Sequence, residues 1–347
     1  MKIGNIKIGN KYRPKIIAEI SGNHNGSLKK AIKLIEEAKK SGADFVKLQT
    51  YTADTLTLKS SYKDFQIRDK KSLWTGETLY NLYKKAYTPW EWHKKLFNVA
   101  KKNKIILFST PFDETAVDFL EKLDTPAYKI SSFENNHYPL LLKILKTKKP
   151  LIVSTGVTPT KKLDEIIKII KSFKKKNFVI LKCTSSYPTE SKDVNLLNIL
   201  EMQKKYKCLV GLSDHTKGIT AAIASIPLGS VLIEKHFNIS FKKKGVDSEF
   251  SLLEDDFQSL VEECKFAWES LGKRKFKLSK IEKKSIQFKR SIYASNDIKI
   301  GQKFNKNNIK IIRPGYGLDP KYFFKILGKT SKRNIKFAKP ITIKDLK

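Results

Sequence analysis

Residues 15–50, KIIAEISGNHNGSLKKAIKLIEEAKKSGADFVKLQT, decide the fold. The stretch opens on a short apolar run from Lys15 to Ile20 and breaks at Ser21-Gly22-Asn23-His24-Asn25-Gly26. An amphipathic segment with Lys on its polar face follows, and the stretch closes on a second run from Phe45 to Thr50. Strand, helix and strand in that order make a βαβ unit, the connection that parallel strands require. The same alternation continues to about Leu271, with apolar runs at 15–20, 45–50, 105–110, 127–131, 151–155, 178–184, 209–214 and 231–237. Eight βα units predict an α/β chain folded as a (β/α)8 TIM barrel.

Outward from that pattern, residues 51–89 are too long for an ordinary βα loop and carry Trp74 and several Tyr, so they read as an elaborated loop over the barrel mouth. The barrel domain is expected to span 1–272. A charged linker without apolar periodicity follows over 273–290, then a small module over 291–347 that contains Arg313-Pro314-Gly315-Tyr316-Gly317.

The chain of 347 residues carries a formal charge of +36, which invites a nucleic-acid reading. The type and placement of the cations argue against it. Arg occurs only at Arg13, Arg68, Arg274, Arg290, Arg313 and Arg333, whereas base and phosphate readers favour guanidinium. The Lys residues fall on polar faces of helical patterns such as 29–40 and 161–176, the pattern of solvated helix surface. Neither nucleic acid nor membrane is expected as a partner. The chain shows no apolar run of membrane-spanning length and no signal-peptide core, so the expectation is a soluble, cytoplasmic protein. Cys183, Cys208 and Cys264 are odd in number and far apart, suiting reduced, mostly buried thiols.

Chemistry in a TIM barrel lies at the C-terminal ends of the strands, and here those ends are polar throughout. In order they offer Glu19, Lys47 with Gln49, Ser109 with Thr110, Lys129 with Ser131 and Ser132, Ser154 with Thr155, Lys182 with Thr184, Ser213 with His215, and Glu234 with His236. Alternation along a strand puts Lys47 and Gln49 on one face, and Glu234 and His236 on one face. Buried together, such charges need partners or a ligand. A single His is more often a satisfied core residue, but His215 and His236 end adjacent strands in a chain with five His, and they read as metal ligands. Imidazoles suit Mn²⁺, Fe²⁺, Co²⁺ or Zn²⁺, and the expected ion is Mn²⁺ or Mg²⁺, with Co²⁺ also possible. Lys47 and Lys129 could instead merely neutralise Glu19 and Glu134.

Several motifs together resemble the sialic acid synthase family, most closely its pseudaminic acid branch of bacterial flagellin glycosylation. They are Ile17-Ala18-Glu19-Ile20-Ser21-Gly22-Asn23-His24, Val46-Lys47-Leu48-Gln49-Thr50-Tyr51, Thr88-Pro89-Trp90-Glu91-Trp92-His93, Tyr128-Lys129-Ile130-Ser131-Ser132-Phe133-Glu134, Cys183-Thr184-Ser185-Ser186-Tyr187-Pro188, Gly211-Leu212-Ser213-Asp214-His215 and Ile233-Glu234-Lys235-His236-Phe237. The tail resembles the antifreeze-like (SAF) domain. The resemblance implies a transferase that joins phosphoenolpyruvate to an amino-sugar aldehyde. Lys47, Lys129, Thr110, Ser132, Ser154, Ser185, Tyr187 and Ser213 would lie around phosphoenolpyruvate, with Glu19 handling water. Gln49, Glu134 and Asp247 would lie near the sugar, and Arg313 would act across a domain-swapped homodimer. Ser185, where many sialic acid synthases carry Asn, leans the product toward pseudaminic acid, while N-acetylneuraminate and legionaminic acid remain alternatives. Two more distant readings are a Schiff-base aldolase using Lys129 or Lys182 and a non-catalytic polyanion binder.

Overall fold

The computed structural model describes residues 1–70, 72–174, 177–239, 245–272 and 276–347. Positions 175–176 of the helical pattern and 273–275 of the predicted linker lie outside them. The chain divides into two compact units, Met1–Gly272 and Lys273–Lys347.

The first unit is a closed barrel of parallel strands: β1 (Lys15–Glu19), β2 (Phe45–Thr50), β3 (Ile106–Pro111), β4 (Tyr128–Ile130), β5 (Leu151–Ser154), β6 (Phe178–Cys183), β7 (Leu209–Asp214) and β8 (Leu232–His236), with β8 pairing β1 to close it. Each matches a predicted run to within two residues at either end. Helices α1 (Leu28–Lys40), α4 (Trp90–Lys102), α5 (Glu114–Lys122), α6 (Tyr138–Lys146), α7 (Thr160–Ser172), α8 (Asn198–Tyr206), α9 (Thr220–Ser225) and α10 (Glu254–Ser270) follow the strands, while α2 (Ala53–Leu56) and α3 (Leu79–Ala86) belong to the 51–89 excursion. In α1 the side chain of Ser27 accepts from Lys30 N–H at the start, Ala31, Leu34, Ile35 and Ala38 face inward at helical spacing, and Lys39 and Lys40 complement the C-terminal end of the dipole. Lys29, Lys33, Lys161, Lys162 and Lys168 are exposed, as expected of solvated helix faces, whereas Lys30 of the same pattern is buried in the first turn of α1.

Alternation along the strands sorts the lumen into layers. Ile17, Phe45, Phe108, Ala127, Ile152, Val179, Leu181 and Leu232 form a buried apolar cluster that Ile3 and Ile8 of the N-terminal segment join. Two residues further along most of these strands, on the same face, stand Glu19, Lys47, Thr110, Lys129, Ser154, Cys183 and Glu234. The lumen therefore changes from hydrocarbon to charge within one pleat.

Asp214 and Lys235 take the opposite face, ending β7 and β8 beside His215 and His236. Their side chains are fully buried, with Lys235 Nζ 2.8 Å from Asp214 Oδ2 and 2.5 Å from Thr216 O. Asp214 also accepts from Thr216 N–H at 2.9 Å. The pair ties together the two strand ends that carry the imidazoles.

In the second unit, β9 (Ser291–Ala294) and β10 (Ile309–Ile312) pair antiparallel, over a core that includes Ile292, Ile298, Phe304, Ile309, Ile326, Ile335 and Ile341. The stretch read as a linker holds a short helix, α11 (Lys280–Ser285). Its Ser279–Glu282 capping box overrides the missing apolar periodicity. No helix among the described residues is long and apolar enough to cross a membrane.

Replacing Lys235 by Met leaves a buried carboxylate without its cation and should cost about 3–5 kcal/mol in urea unfolding. Adding Asp214→Asn, which removes the charge but retains an acceptor for Thr216 N–H, should recover part of that loss. Unchanged stability in Lys235→Met would refute the pairing.

Candidate active site

The site is built on the upper layer of the lumen, where register sets polar side chains of neighbouring strands side by side: Glu19 lies beside Lys47 of opposite charge across β1 and β2, and Glu234 beside the hydroxyl of Ser213 across β7 and β8. Lys47 Nζ forms an ion pair with Glu19, donates to Thr110 Oγ1 at 3.0 Å and lies 3.8 Å from Glu234 Oε1. Lys129 Nζ is 3.0 Å from Glu234 Oε1, which also accepts from Ser213 Oγ at 3.3 Å. Glu19 accepts from Ser21 N–H at 3.0 Å and from Gln49 Nε2 at 3.2 Å. Two cations and two carboxylates thus share one buried network.

Their protonation follows from that geometry. Burial pulls the Lys47 ammonium down, but the carboxylates of Glu19 and Glu234 outweigh it and hold Lys47 above its ordinary value. Burial likewise raises Glu234, yet Lys129 and Lys47 reverse the shift and keep it ionised. Glu19 is raised by burial despite Lys47. Glu134, half-buried at the rim and hydrogen-bonded by Ser131 Oγ, is pushed by burial up to about 7.

His215 and His236 stand with ring centroids 5.5 Å apart. His215 Nδ1 lies 2.9 Å from Thr184 O, an arrangement in which that nitrogen donates to the carbonyl and Nε2 keeps its lone pair. Burial holds His236 well below its ordinary value and therefore neutral, and its Nδ1 is buried without a hydrogen-bond partner. Ser154 Oγ and Glu234 Oε2, which face the same cavity, are also buried without one. Buried polar atoms are nearly always satisfied, so three orphans in one cavity mark a ligand site. The neutral ring of His236 suits a divalent cation. Burial lowers His215 but Cys183 outweighs it and raises the ring, so a cation would take the place of the proton that Nε2 carries in the charged form, on a ring that Thr184 O already orients. Among the described residues no group of three or more His, Cys, Asp or Glu could hold an ion, so the pair would rely on water and substrate for its other ligands.

A second cradle lies across the mouth. Gly156 N–H donates to Ser132 Oγ at 3.0 Å, and a Cβ at position 156 would lie 2.7 Å from that oxygen and collide with Ser185 Oγ. Only glycine permits this close approach of hydroxyls, an arrangement suited to an oxyanion.

Among the predicted residues, Glu19, Lys47, Gln49, Lys129, Ser132, Ser154, Tyr187, Ser213, His215, Glu234 and His236 line one cavity. Thr110 joins through Lys47, Ser185 through Cys183 Sγ at 3.8 Å, and Glu134 through Ser131. Asp247 is buried beside it, its carboxyl raised by burial while Ser21 and the Gly22 N–H bond to it. Arg313 is exposed on the second unit. Two placements depart from the sequence pattern: in the alternative by which Lys129 merely neutralises a carboxylate the partner is Glu234 and not Glu134, and Lys182 leaves the lumen. Lys182 Nζ donates to Cys183 O at 3.0 Å and Thr184 Oγ1 at 2.9 Å, and lines a separate cleft with Thr158, Leu163 and Asn198.

Strand alternation would have placed Cys183, not Lys182, inside. Burial opposes ionisation of this thiol, but His215 beside it, with Ser132 and Lys129, draws it down to about 6. Phe133 in the cavity wall and Phe250, with its ring 4.8 Å from that of His236, carried no sequence signal. His24 and His93 are satisfied core residues, both lowered by burial to about 4. A larger cavity, about 690 Å³, lies at the opposite end of the strands among Met1, Ile8, Phe178 and Leu209, and gathers no carboxylate or imidazole.

Comparison with known proteins agrees with this geometry. Residues 34–276 match the profile of the NeuB family and residues 289–347 that of the SAF domain. The chain is 45% identical to pseudaminic acid synthase of Campylobacter jejuni, over 97% of each chain. It is 40% identical to pseudaminic acid synthase of Helicobacter pylori, over 96% of this chain and 98% of that one. The solved N-acetylneuraminic acid synthetase of Leptospira borgpetersenii resembles it with a TM-score of 0.73 at 29% identity, covering 82% of this chain and 94% of that chain. With a profile that spans most of the barrel and relatives of this identity along nearly the whole length, the chain belongs to the NeuB family.

Proposed function

We propose that the chain condenses phosphoenolpyruvate with 2,4-diacetamido-2,4,6-trideoxy-L-altrose and water, releasing phosphate and yielding pseudaminic acid. The observation that carries this reading is the single cavity in which Lys47, Lys129, Ser132, Ser154 and Ser213 face His215 and His236. The likeness to enzymes named pseudaminic acid synthase supports the choice of acceptor.

In this reading Lys47, Lys129 and the hydroxyls of Thr110, Ser132, Ser154, Ser185, Tyr187 and Ser213 hold the phosphate and carboxylate of phosphoenolpyruvate, fixed donors that need no rearrangement as charge moves. A divalent cation, Mn²⁺ or Mg²⁺ with Co²⁺ as a further option, held by His215 and His236, supplies Lewis acidity toward the sugar aldehyde. C3 of phosphoenolpyruvate forms the new carbon–carbon bond with the aldehyde carbon. Water then adds at C2, and the tetrahedral intermediate collapses with loss of phosphate. Glu19 takes the proton of that water; burial raises its carboxyl above its ordinary value, which makes the carboxylate a stronger base. Gln49, Glu134 and Asp247 orient the sugar, with Glu134 able to give a proton to the aldehyde oxygen. Arg313 serves the barrel of a second copy in a domain-swapped homodimer, and the reaction takes place in the cytoplasm.

Phosphate release from phosphoenolpyruvate should require the trideoxy altrose and Mn²⁺ and should stop with EDTA. His215→Ala should lower it on the order of 100-fold or more. Preference for N-acetylmannosamine or the legionaminic precursor would move the product, and no release with any sugar would refute the synthase reading.

Glu134 also ties the site to pH. Its carboxyl is raised from 4.5 to about 7 in the fold. Its contribution to stability is therefore full below about 4.5 and is lost as pH rises through about 7. Glu134→Gln has no such loss, so its melting temperature relative to the parent should climb across that window and level off above it. A flat difference would mean that Glu134 ionises normally in the fold.

A further inference from the structure

The 51–89 excursion brings aromatic residues back over the barrel mouth. Tyr51 packs edge-on against Phe112, with centroids 4.9 Å apart, and against Tyr83 of α3 at 6.0 Å. Further along, Trp74 is pinned at two points. Its Nε1–H donates to Val246 O at 3.1 Å, and its ring lies 5.9 Å from that of Tyr187, tilted by 50°. Tyr187 in turn lies 4.4 Å from the His215 ring and 5.2 Å from Phe250, and Val246 immediately precedes Asp247. One indole thus joins the loop after β6 to the loop after β8, between a side chain that leans on a candidate metal ligand and one assigned to the sugar.

A purely structural latch would be expected to bury its indole. Trp74 is only partly buried, while its one polar atom is already satisfied by Val246 O. What remains is apolar ring surface at the rim of the mouth. Such a face packs on C–H and methyl groups and forces a hydroxyl set against it to give up water without a partner.

We propose that Trp74, with Tyr187 beside it, is the apolar wall of the acceptor subsite and selects sugars whose far end carries methyl and acetamido groups over sugars that carry hydroxyls there. This assignment rests on the condensation reading above. It gives the excursion a function: an element inserted between β2 and α4 supplies the contact that distinguishes acceptors, while the lumen layer that holds phosphoenolpyruvate is left unchanged. An apolar wall discriminates only modestly, by about 10- to 200-fold for a single group, so the effect to look for is of that size.

The test is steady-state kinetics of the full chain with Mn²⁺ and phosphoenolpyruvate, comparing the trideoxy acceptor with N-acetylmannosamine for the parent, Trp74→Phe and Trp74→Ala. Trp74→Ala should raise KM for the trideoxy acceptor about 10-fold or more, leave KM for phosphoenolpyruvate within about twofold, and narrow the kcat/KM ratio between the two sugars. Trp74→Phe, which keeps an aromatic face, should retain most of the preference. If Trp74→Ala does not fold, Trp74→Leu, which keeps bulk without the ring, is read by the same criteria. An equal loss on both sugars, a raised KM for phosphoenolpyruvate, or no change in any constant would overturn the assignment, as would a parent chain that uses both sugars equally. A parent inert toward every acceptor refutes the condensation reading first, and the assignment with it.

Discussion

The buried charge network at the top of the barrel is the constraint on which the rest of the structure depends. Lys47 with Glu19 and Lys129 with Glu234 place four ionisable groups where each alone would cost several kcal/mol. Each is tolerable because another strand supplies its counter-charge, β1 beside β2 for Lys47 and β8 across the lumen from β4 for Lys129, and Glu234 reaches Lys47 as well because β8 closes on β1. Well-packed apolar residues would stabilise such a lumen as well or better. The network is thus better understood as a preorganised field for an anionic ligand than as a device for stability.

Layering lets one short barrel hold both a core and a site. The apolar cluster around Phe45, Phe108 and Leu232 lies one pleat from the charges, so the fold has a dry foundation independent of the polar layer. On the outward face, Lys235 and Asp214 form a second buried pair with a different task. It fastens the ends of β7 and β8, where a small shift would move His215 and His236 apart. The same alternation therefore assigns one residue to chemistry and its neighbour to the rigidity that chemistry requires.

The rim follows another logic. Glu134 and Asp247 are raised by burial and have among the described residues no close ammonium partner of the kind that Glu19 and Glu234 have, and the tyrosines of distant segments lie in their field, Tyr83 in that of Glu134 and Tyr187 in that of Asp247. Tyr51 is raised by burial, with Asp247 and Glu134 contributing, which places its hydroxyl in their field. The lumen is thus suited to fixed negative charge, and the rim to a less polar group with hydrogen-bonding edges.

The order of elements, the closed barrel and most of the polar ring were legible in the sequence, because they rest on local periodicity: two residues per pleat, 3.6 per helical turn, and polar residues where strands end. Periodicity also contained the answer for β6, where Cys183 rather than Lys182 faces inward; counting polar residues instead of faces missed it. Other features came only with the tertiary structure. Lys129 pairs with Glu234, 105 positions away, and not with nearby Glu134; Trp74 meets Val246 across 172 positions; and His215 and His236 come within 5.5 Å. The physical reason is that local periodicity determines which face a side chain takes, while its partner across the lumen depends on how the barrel closes and where a long excursion returns, and neither has a local signature.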